Sequence, residues 1–256
     1  IWQSWSLFIA VLGAETRTIP LMTTASIGGL EVTAFSSLQD AARQIVTDNK
    51  VIPGFAVAVN PEKVMMAQRD ATINHVLQSA TLRYPDGMGV VKTMAKKGVQ
   101  SARIPGCELW LTLMQRCAAM NTPVAIIGAS QQVNQQTADK LKSEGVNVVF
   151  AQDGFFDTEQ TVIDKVMASG AKVISVAMGS PKQEQLIMRF REQHADAFYM
   201  GVGGSYDVYT GHVKRAPVLF CKLHLEWFYR LCSQPTRYKR QLVLIDYAVK
   251  HFRGQL

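Results

Sequence analysis

"PVAIIGASQQVNQQTADKLKSEGVNVVFAQDGFFDTEQTVIDKVMASGAKVISVAMGSPKQEQLIMRF" (Pro123 to Phe190) alternates between two periods. Short apolar, β-branched runs ("PVAIIG", "VNVVFA", "AKVISVAM") are each followed by an amphipathic stretch with helical spacing, two of them closed by Gly145 and Gly170. Strands that are apolar throughout, with a helix after each, predict a parallel sheet covered on both faces. "DAFYMGVGGSYDVY" adds a further strand running into a glycine-rich turn.

Upstream, "SIGGLEVTAF" reads as a hairpin turning at Gly28-Gly29, and "SSLQDAARQIVTDN" as a helix capped by Ser36 or Ser37. "GFAVAVN" is a buried strand ending at Asn60-Pro61. "PEKVMMAQRDATINHVLQSA" reads as one helical stretch, "LRYPDGMGVV" as a turn, and Gly106 to Met120 as a helix. "IWQSWSLFIAVLGA" is apolar but shorter than a spanning helix and lacks the basic start of a signal peptide. With Met22 following, residues 1–21 are expected to be an extension upstream of the folded chain, the alternative being a membrane-touching segment. Residues 22–211 form the α/β domain, in parts to about 120 and 121–211, and residues 212–256 an appendage.

The 256 residues are 48% hydrophobic and carry a formal net charge of +7. From His212 onward nine Lys and Arg face only Glu226 and Asp246, so the appendage carries the whole surplus. An anionic partner is expected there. Leu219, Leu223, Trp227 and Leu231 recur every four residues beside Lys222 and Arg230. In "RYKRQLVLIDYAVKHFRGQL" Lys239, Asp246, Lys250 and Arg253 share one narrow strip of an otherwise apolar wheel. Basic and aromatic residues mixed in this way suit a helix lying on an anionic bilayer; the alternative is packing on the domain or on another subunit. A nucleic-acid arm would carry fewer Leu and Phe, so no nucleic-acid partner is expected. The four cysteines are scattered, the histidines do not pair at metal spacing and no D-x-D occurs, so no metal, cofactor or disulfide framework is expected. The compartment is expected to be reducing.

Ligands of an open parallel sheet bind beyond the carboxyl ends of its strands. Four such ends are polar or glycine-rich: Asn60; Gly128-Ala129-Ser130; Gly179-Ser180-Pro181-Lys182-Gln183-Glu184; and Gly201 to Ser205 with Gly203 and Gly204. Their backbone N–H groups can hold a phosphate, although no P-loop or G-x-G-x-x-G is present. Asp86 in "PDG" is either a turn residue or a general base. Gln183 and Glu184 are either first-turn helix residues, Ser180 and Gln183 fitting a capping box, or ligand contacts.

"NPEKVM", "YPDGMGVV", "RIPGCELW", "MGSPKQE", "GVGGSYDVYTGHVKRAP" and "LEWFYRLCSQPTRYKRQ" resemble, in order and spacing, the motifs of the WecG/TagA/CpsF glycosyltransferase family. The resemblance runs from about Gly28 to the C-terminus. It implies a Rossmann-like parallel sheet with flanking helices, a small N-terminal hairpin and a C-terminal helical membrane-associating appendage. It also implies metal-independent, inverting transfer from a UDP-sugar donor to GlcNAc on undecaprenyl diphosphate, at the cytoplasmic face of the bacterial inner membrane. The motifs are most similar to those of members that use UDP-N-acetyl-D-mannosaminuronic acid for enterobacterial common antigen. By the same resemblance Asp86 is the base, Arg103 stabilises the departing diphosphate, and Asn60 and Gln183 contact substrate. Arg230, Arg237 and Arg240 would close over the diphosphate near the membrane. A uronate donor calls for one more cation, for which Lys214, Arg215 and Lys182 are candidates.

Overall fold

A computed structural model describes residues 23–48, 50–214, 217, 220, 229 and 238–256. Six strands form one parallel sheet in the order β4-β3-β8-β7-β5-β6. They are β3 (Gly54–Val59), β4 (Leu82–Pro85), β5 (Val124–Gly128), β6 (Val148–Gln152), β7 (Val173–Ala177) and β8 (Phe198–Gly201). Strands β5 and β7 are buried along their whole length, as expected for strands covered on both faces. Phe55, Val57, Val59, Ile174 and Val176 join the core on one side, while Ala56, Val173, Phe198 and Met200 join the other.

The first face is covered by α2 (Pro61–Arg69), α3 (Ala71–Gln78), α4 (Met88–Lys96), α7 (Glu159–Ala168) and α8 (Lys182–Gln193). The second carries α1 (Leu38–Ile45), α5 (Gly106–Ala119), α6 (Gln131–Ser143) and the short α9 (Ser205–Tyr209). The hairpin β1 (Thr24–Ile27) to β2 (Leu30–Thr33) turns at Gly28 and Gly29, both at positive φ. A type I′ turn requires that conformation twice. Arg83 Nε donates to Glu31 O at 2.6 Å, tying the hairpin to the edge strand β4.

Two expectations change in detail, and a third narrows to one of its two candidates. The helical stretch after Asn60 is two helices, because Asp70 leaves helical geometry and accepts from Thr72 N and Ile73 N as the cap of the second. "LRYPDGMGVV" is more than a turn: four residues form β4, Asp86-Gly87 form the turn, and α4 follows. A four-residue edge strand ending in proline gives little periodic signal. At α1 it is Ser37 that caps, accepting from Asp40 N at 3.1 Å.

After a segment outside the described residues, α10 (Tyr238–Arg253) docks on α2 and α4. Two members of its polar strip reach α2: Asp246 pairs with Arg69 at 2.7 Å, and Lys250 Nζ donates to Gln68 Oε1 at 2.7 Å, while Arg253 is exposed. Leu242, Ile245, Val249 and Phe252, at helical spacing, are exposed by 59%, 63%, 40% and 80%. The helix packs on the domain and still turns an apolar stripe outward. The positions of the first appendage pattern, Leu219, Leu223, Trp227 and Leu231, lie outside the described residues. Among the described residues no helix is long and apolar enough to cross a membrane.

Candidate functional site

Strands β4, β3, β8 and β7 are consecutive neighbours, so their carboxyl ends make one edge. Asn60 ends β3 and caps α2, its Oδ1 accepting from Lys63 N at 2.9 Å. Asp86 follows β4, and its N–H donates to Val59 O at 2.8 Å, setting it beside Asn60. Gly87 next to it has φ +117, and a Cβ there would lie 3.9 Å from Asn60 Cβ. Ile104 N donates to Pro85 O at 2.8 Å, which brings the Arg103 backbone to the same strand end. A Cβ on Gly106, the first residue of α5, would lie 3.8 Å from Asp86 Oδ2 and 3.0 Å from Tyr84 Oη.

The "MGSPKQE" segment completes the edge. Gly179 turns at φ +75 and Ser180-Pro181 is a cis peptide. The capping-box reading fails: α8 has no side-chain cap. Gln183 instead reaches sideways and accepts from Gly203 N at 2.9 Å, locking the β8 turn. Gly201 is required there, since its Cβ would lie 2.6 Å from Gln183 Nε2. Gln183 Nε2 donates to Glu184 Oε1 at 3.1 Å, and Lys63 Nζ donates to the same oxygen at 2.8 Å. Asn60, Lys63, Glu184, Gln183 and Gly203 therefore form one connected row from β3 to β8.

Glu184 is 2% exposed and Lys63 13%. Burial alone would raise the Glu184 pKa, but the Lys63 charge and hydrogen bond, with help from Gln183 and Ser180, hold it below the usual carboxylate value. The folded value is depressed, so the pair stabilises the protein above the ordinary carboxylate pKa, and that contribution is lost as pH falls through the folded value. Glu184→Ala leaves Lys63 without its partner and is expected to cost about 3–5 kcal/mol in urea unfolding at neutral pH. Glu184→Gln is expected to flatten the acid limb of the stability profile. An unchanged limb would assign the acid sensitivity to other groups.

Tyr84 is fully buried, and its hydroxyl has no hydrogen-bond partner among the described residues. Burial, with the charges of Asp86, Cys107 and Glu184, pushes its pKa well above the usual phenol value, so it stays an O–H donor. Lys63, Tyr84 and Gly106 were not singled out by their sequence. All three lie inside quoted motifs, but a partner 121 residues away, as Lys63 has, leaves no local signal.

Of the other expected site residues, Gly204 and Lys182 adjoin this row in the chain, and several lie out of view. Gly204 precedes α9. Lys182 and Lys214 are exposed. Arg215, Arg230 and Arg237 lie outside the described residues, as does the side chain of Arg240, whose backbone is in α10. Among the described residues no group of three His, Cys, Asp or Glu could hold a metal ion.

At the far end of the edge β5 lies between β6 and β7, so the connections diverge there. Gly128 packs so closely on β7 that a Cβ would lie 2.4 Å from Ala177 O, and Ala129 follows at φ +60. Asn134 Nδ2 bonds Gly128 O at 2.9 Å and Gln152 O at 2.8 Å, holding the two strand ends. Phe155 beyond β6 is 82% exposed. A topological switch point of this kind is where nucleotides bind in doubly wound sheets.

A Rossmann-like sheet with polar groups converging on one carboxyl edge is the architecture of a nucleotide-dependent α/β enzyme. The model of the Glycosyl transferase WecG/TagA/CpsF family matches residues 25–255, and the chain belongs to that family. It is a glycosyltransferase, of a family that acts on lipid-linked sugar intermediates.

Proposed function

We propose that the chain transfers N-acetyl-D-mannosaminuronic acid, with inversion, from its UDP-sugar to the 4-hydroxyl of GlcNAc on undecaprenyl diphosphate. This is the second lipid intermediate of enterobacterial common antigen, made at the cytoplasmic face of the inner membrane. The observation that carries the reading is the convergence of Asp86, Asn60, Gln183 and the Arg103 backbone on one strand edge in a member of this family.

Asp86 takes the proton of the acceptor hydroxyl as that oxygen bonds to the anomeric carbon. The bond from that carbon to the β-phosphate oxygen breaks on the opposite face, and UDP leaves with the electron pair. Arg103 and the appendage arginines Arg230, Arg237 and Arg240 stabilise the charge that develops there. The UDP moiety occupies the strand-edge crevice, within reach of the Gly179 to Gln183 turn and of Gly203 and Gly204. Glu184 keeps Lys63 and Gln183 in place. A cation for the donor carboxylate comes from Lys182, Lys214 or Arg215. The outward apolar stripe of α10, in an appendage with all the surplus charge, supports seating on an anionic bilayer.

The deciding assay offers UDP-N-acetylmannosaminuronic acid and UDP-N-acetylmannosamine separately, with a synthetic lipid-diphosphate-GlcNAc acceptor. Turnover of the uronate donor, with little of the neutral one, is expected. The reverse preference would make the chain an N-acetylmannosaminyltransferase of the same family.

A further inference from the structure

Asp86 stands where the end of β4 passes into a helix start flanked by glycines. "PDGMG" places Gly87 and Gly89 on either side of Met88, and α4 begins with no side-chain cap. Glycine at both positions gives this turn more backbone freedom than any other residue would. One end is fixed by Asp86 N to Val59 O at 2.8 Å. The other is held within α4, where Val90 N and Val91 N donate to Gly87 O at 3.2 and 3.3 Å, and also from the far end of the chain.

A Cβ on Gly89 would lie 2.9 Å from Pro61 Cγ and 3.3 Å from Tyr247 Cε1, so the Tyr247 ring lies directly against the α4 backbone. Tyr247 is 3% exposed. Thr93 Oγ1 donates to Gly89 O at 2.9 Å. The same oxygen lies 2.7 Å from Tyr247 Oη and 2.9 Å from His251 Nδ1. With the Thr93 proton committed to Gly89 O, its two lone pairs accept from Tyr247 O–H and from the Nδ1–H tautomer of His251. Tyr247 Oη also reaches Gly89 O at 3.3 Å. Every proton in this cluster has an acceptor, and the cluster converges on one carbonyl three residues after Asp86. Lys96 Nζ, from the other end of α4, caps the close of α10 by donating to His251 O at 2.7 Å.

We propose that Tyr247 is a positioning residue for the base: through Thr93 and the Gly89 carbonyl, the docked α10 locks the first turn of α4 and so sets Asp86 against the acceptor hydroxyl. This rests on Asp86 being the base. The helix that turns an apolar stripe outward thus also holds the catalytic turn. Loss of the lock lowers the rate of the chemical step and leaves donor binding alone, because Asn60, Gln183 and Gly203 keep the Lys63–Glu184 hydrogen bonds that hold them.

The test uses the full chain in detergent with a short-chain lipid-diphosphate-GlcNAc acceptor, so that bilayer seating does not enter. Tyr247→Phe keeps the ring on Gly89 and removes the hydroxyl; Thr93→Val keeps the shape of Thr93 and removes its hydroxyl. Each is expected to lower kcat about 10-fold, the scale of one lost hydrogen bond and a small misplacement of the reacting group. Donor KM should stay within about twofold, as for an interaction made only in the transition state. The double variant should fall no further than the worse single one, since both cut the same link. Thr93→Ser should recover most of the loss. If Tyr247→Phe does not fold, Thr93→Val and Thr93→Ser carry the comparison alone. An unchanged kcat in the folded variants, beside an inactive Asp86→Asn, would overturn the positioning role and leave the base in place. A loss confined to donor KM, or one that tracks the amount of folded protein, would overturn it equally. Full activity in Asp86→Asn would remove the base and this inference with it.

Discussion

Asp86→Asn is expected to lower the transfer rate by about 10²–10⁴-fold, the usual worth of a general base. UDP affinity should hardly change. The substitution preserves size and shape, and the position is fixed through the backbone by the bond to Val59 O and by the positive φ of Gly87. What it removes is the charge and the capacity to take a proton. Tyr84 lies within electrostatic reach of Asp86, so loss of the charge should also ease the upward push on the Tyr84 phenol. Steady-state transfer measured beside calorimetric titration with UDP separates the two effects. A variant that transfers at the wild-type rate removes Asp86 from the mechanism. One that loses UDP binding in proportion makes it a binding group.

The period switching from Pro123 to Phe190 was enough to predict the sheet, because strands covered on both faces must be apolar throughout and each needs a crossover helix. The hairpin was legible from Gly28-Gly29 for a similarly local reason. Strand β4 was not, since "LRYP" is short, contains Arg83 and ends in proline. The site was legible only as a set of strand ends. That Gln183 would turn away from its own helix end to bond Gly203, or that Lys63 would meet Glu184, depends on which strands become neighbours. Strand order is a long-range property without local signal. The polar strip of α10 was visible on the wheel, but the reach of two of its members to α2 was not. Asp246 and Lys250 look like a solvated face until Arg69 and Gln68 are placed opposite them.

That reversal sets the second large effect. Ile245→Asp with Phe252→Asp is expected to weaken binding to vesicles rich in anionic lipid about 30- to 150-fold, corresponding to about 2–3 kcal/mol of apolar burial lost from two exposed side chains. Charge repulsion from the added carboxylates adds to this at low salt. The two positions are 63% and 80% exposed and point away from α2, so the fold and the Tyr247 docking should survive. Removing residues 212–256 is a poorer test. It would also uncover the core positions that Tyr247 and Leu256 fill, and a loss of binding would then be hard to separate from misfolding. Flotation with vesicles of graded anionic content, at low and high salt, measures the apolar and electrostatic parts separately. Transfer to a detergent-dispersed acceptor should remain near wild type in this variant, while transfer to acceptor embedded in vesicles falls with binding. If the variant binds vesicles as well as the parent does, α10 does not seat on the bilayer. If light scattering shows instead that it has lost mass, the stripe joins two copies of the chain.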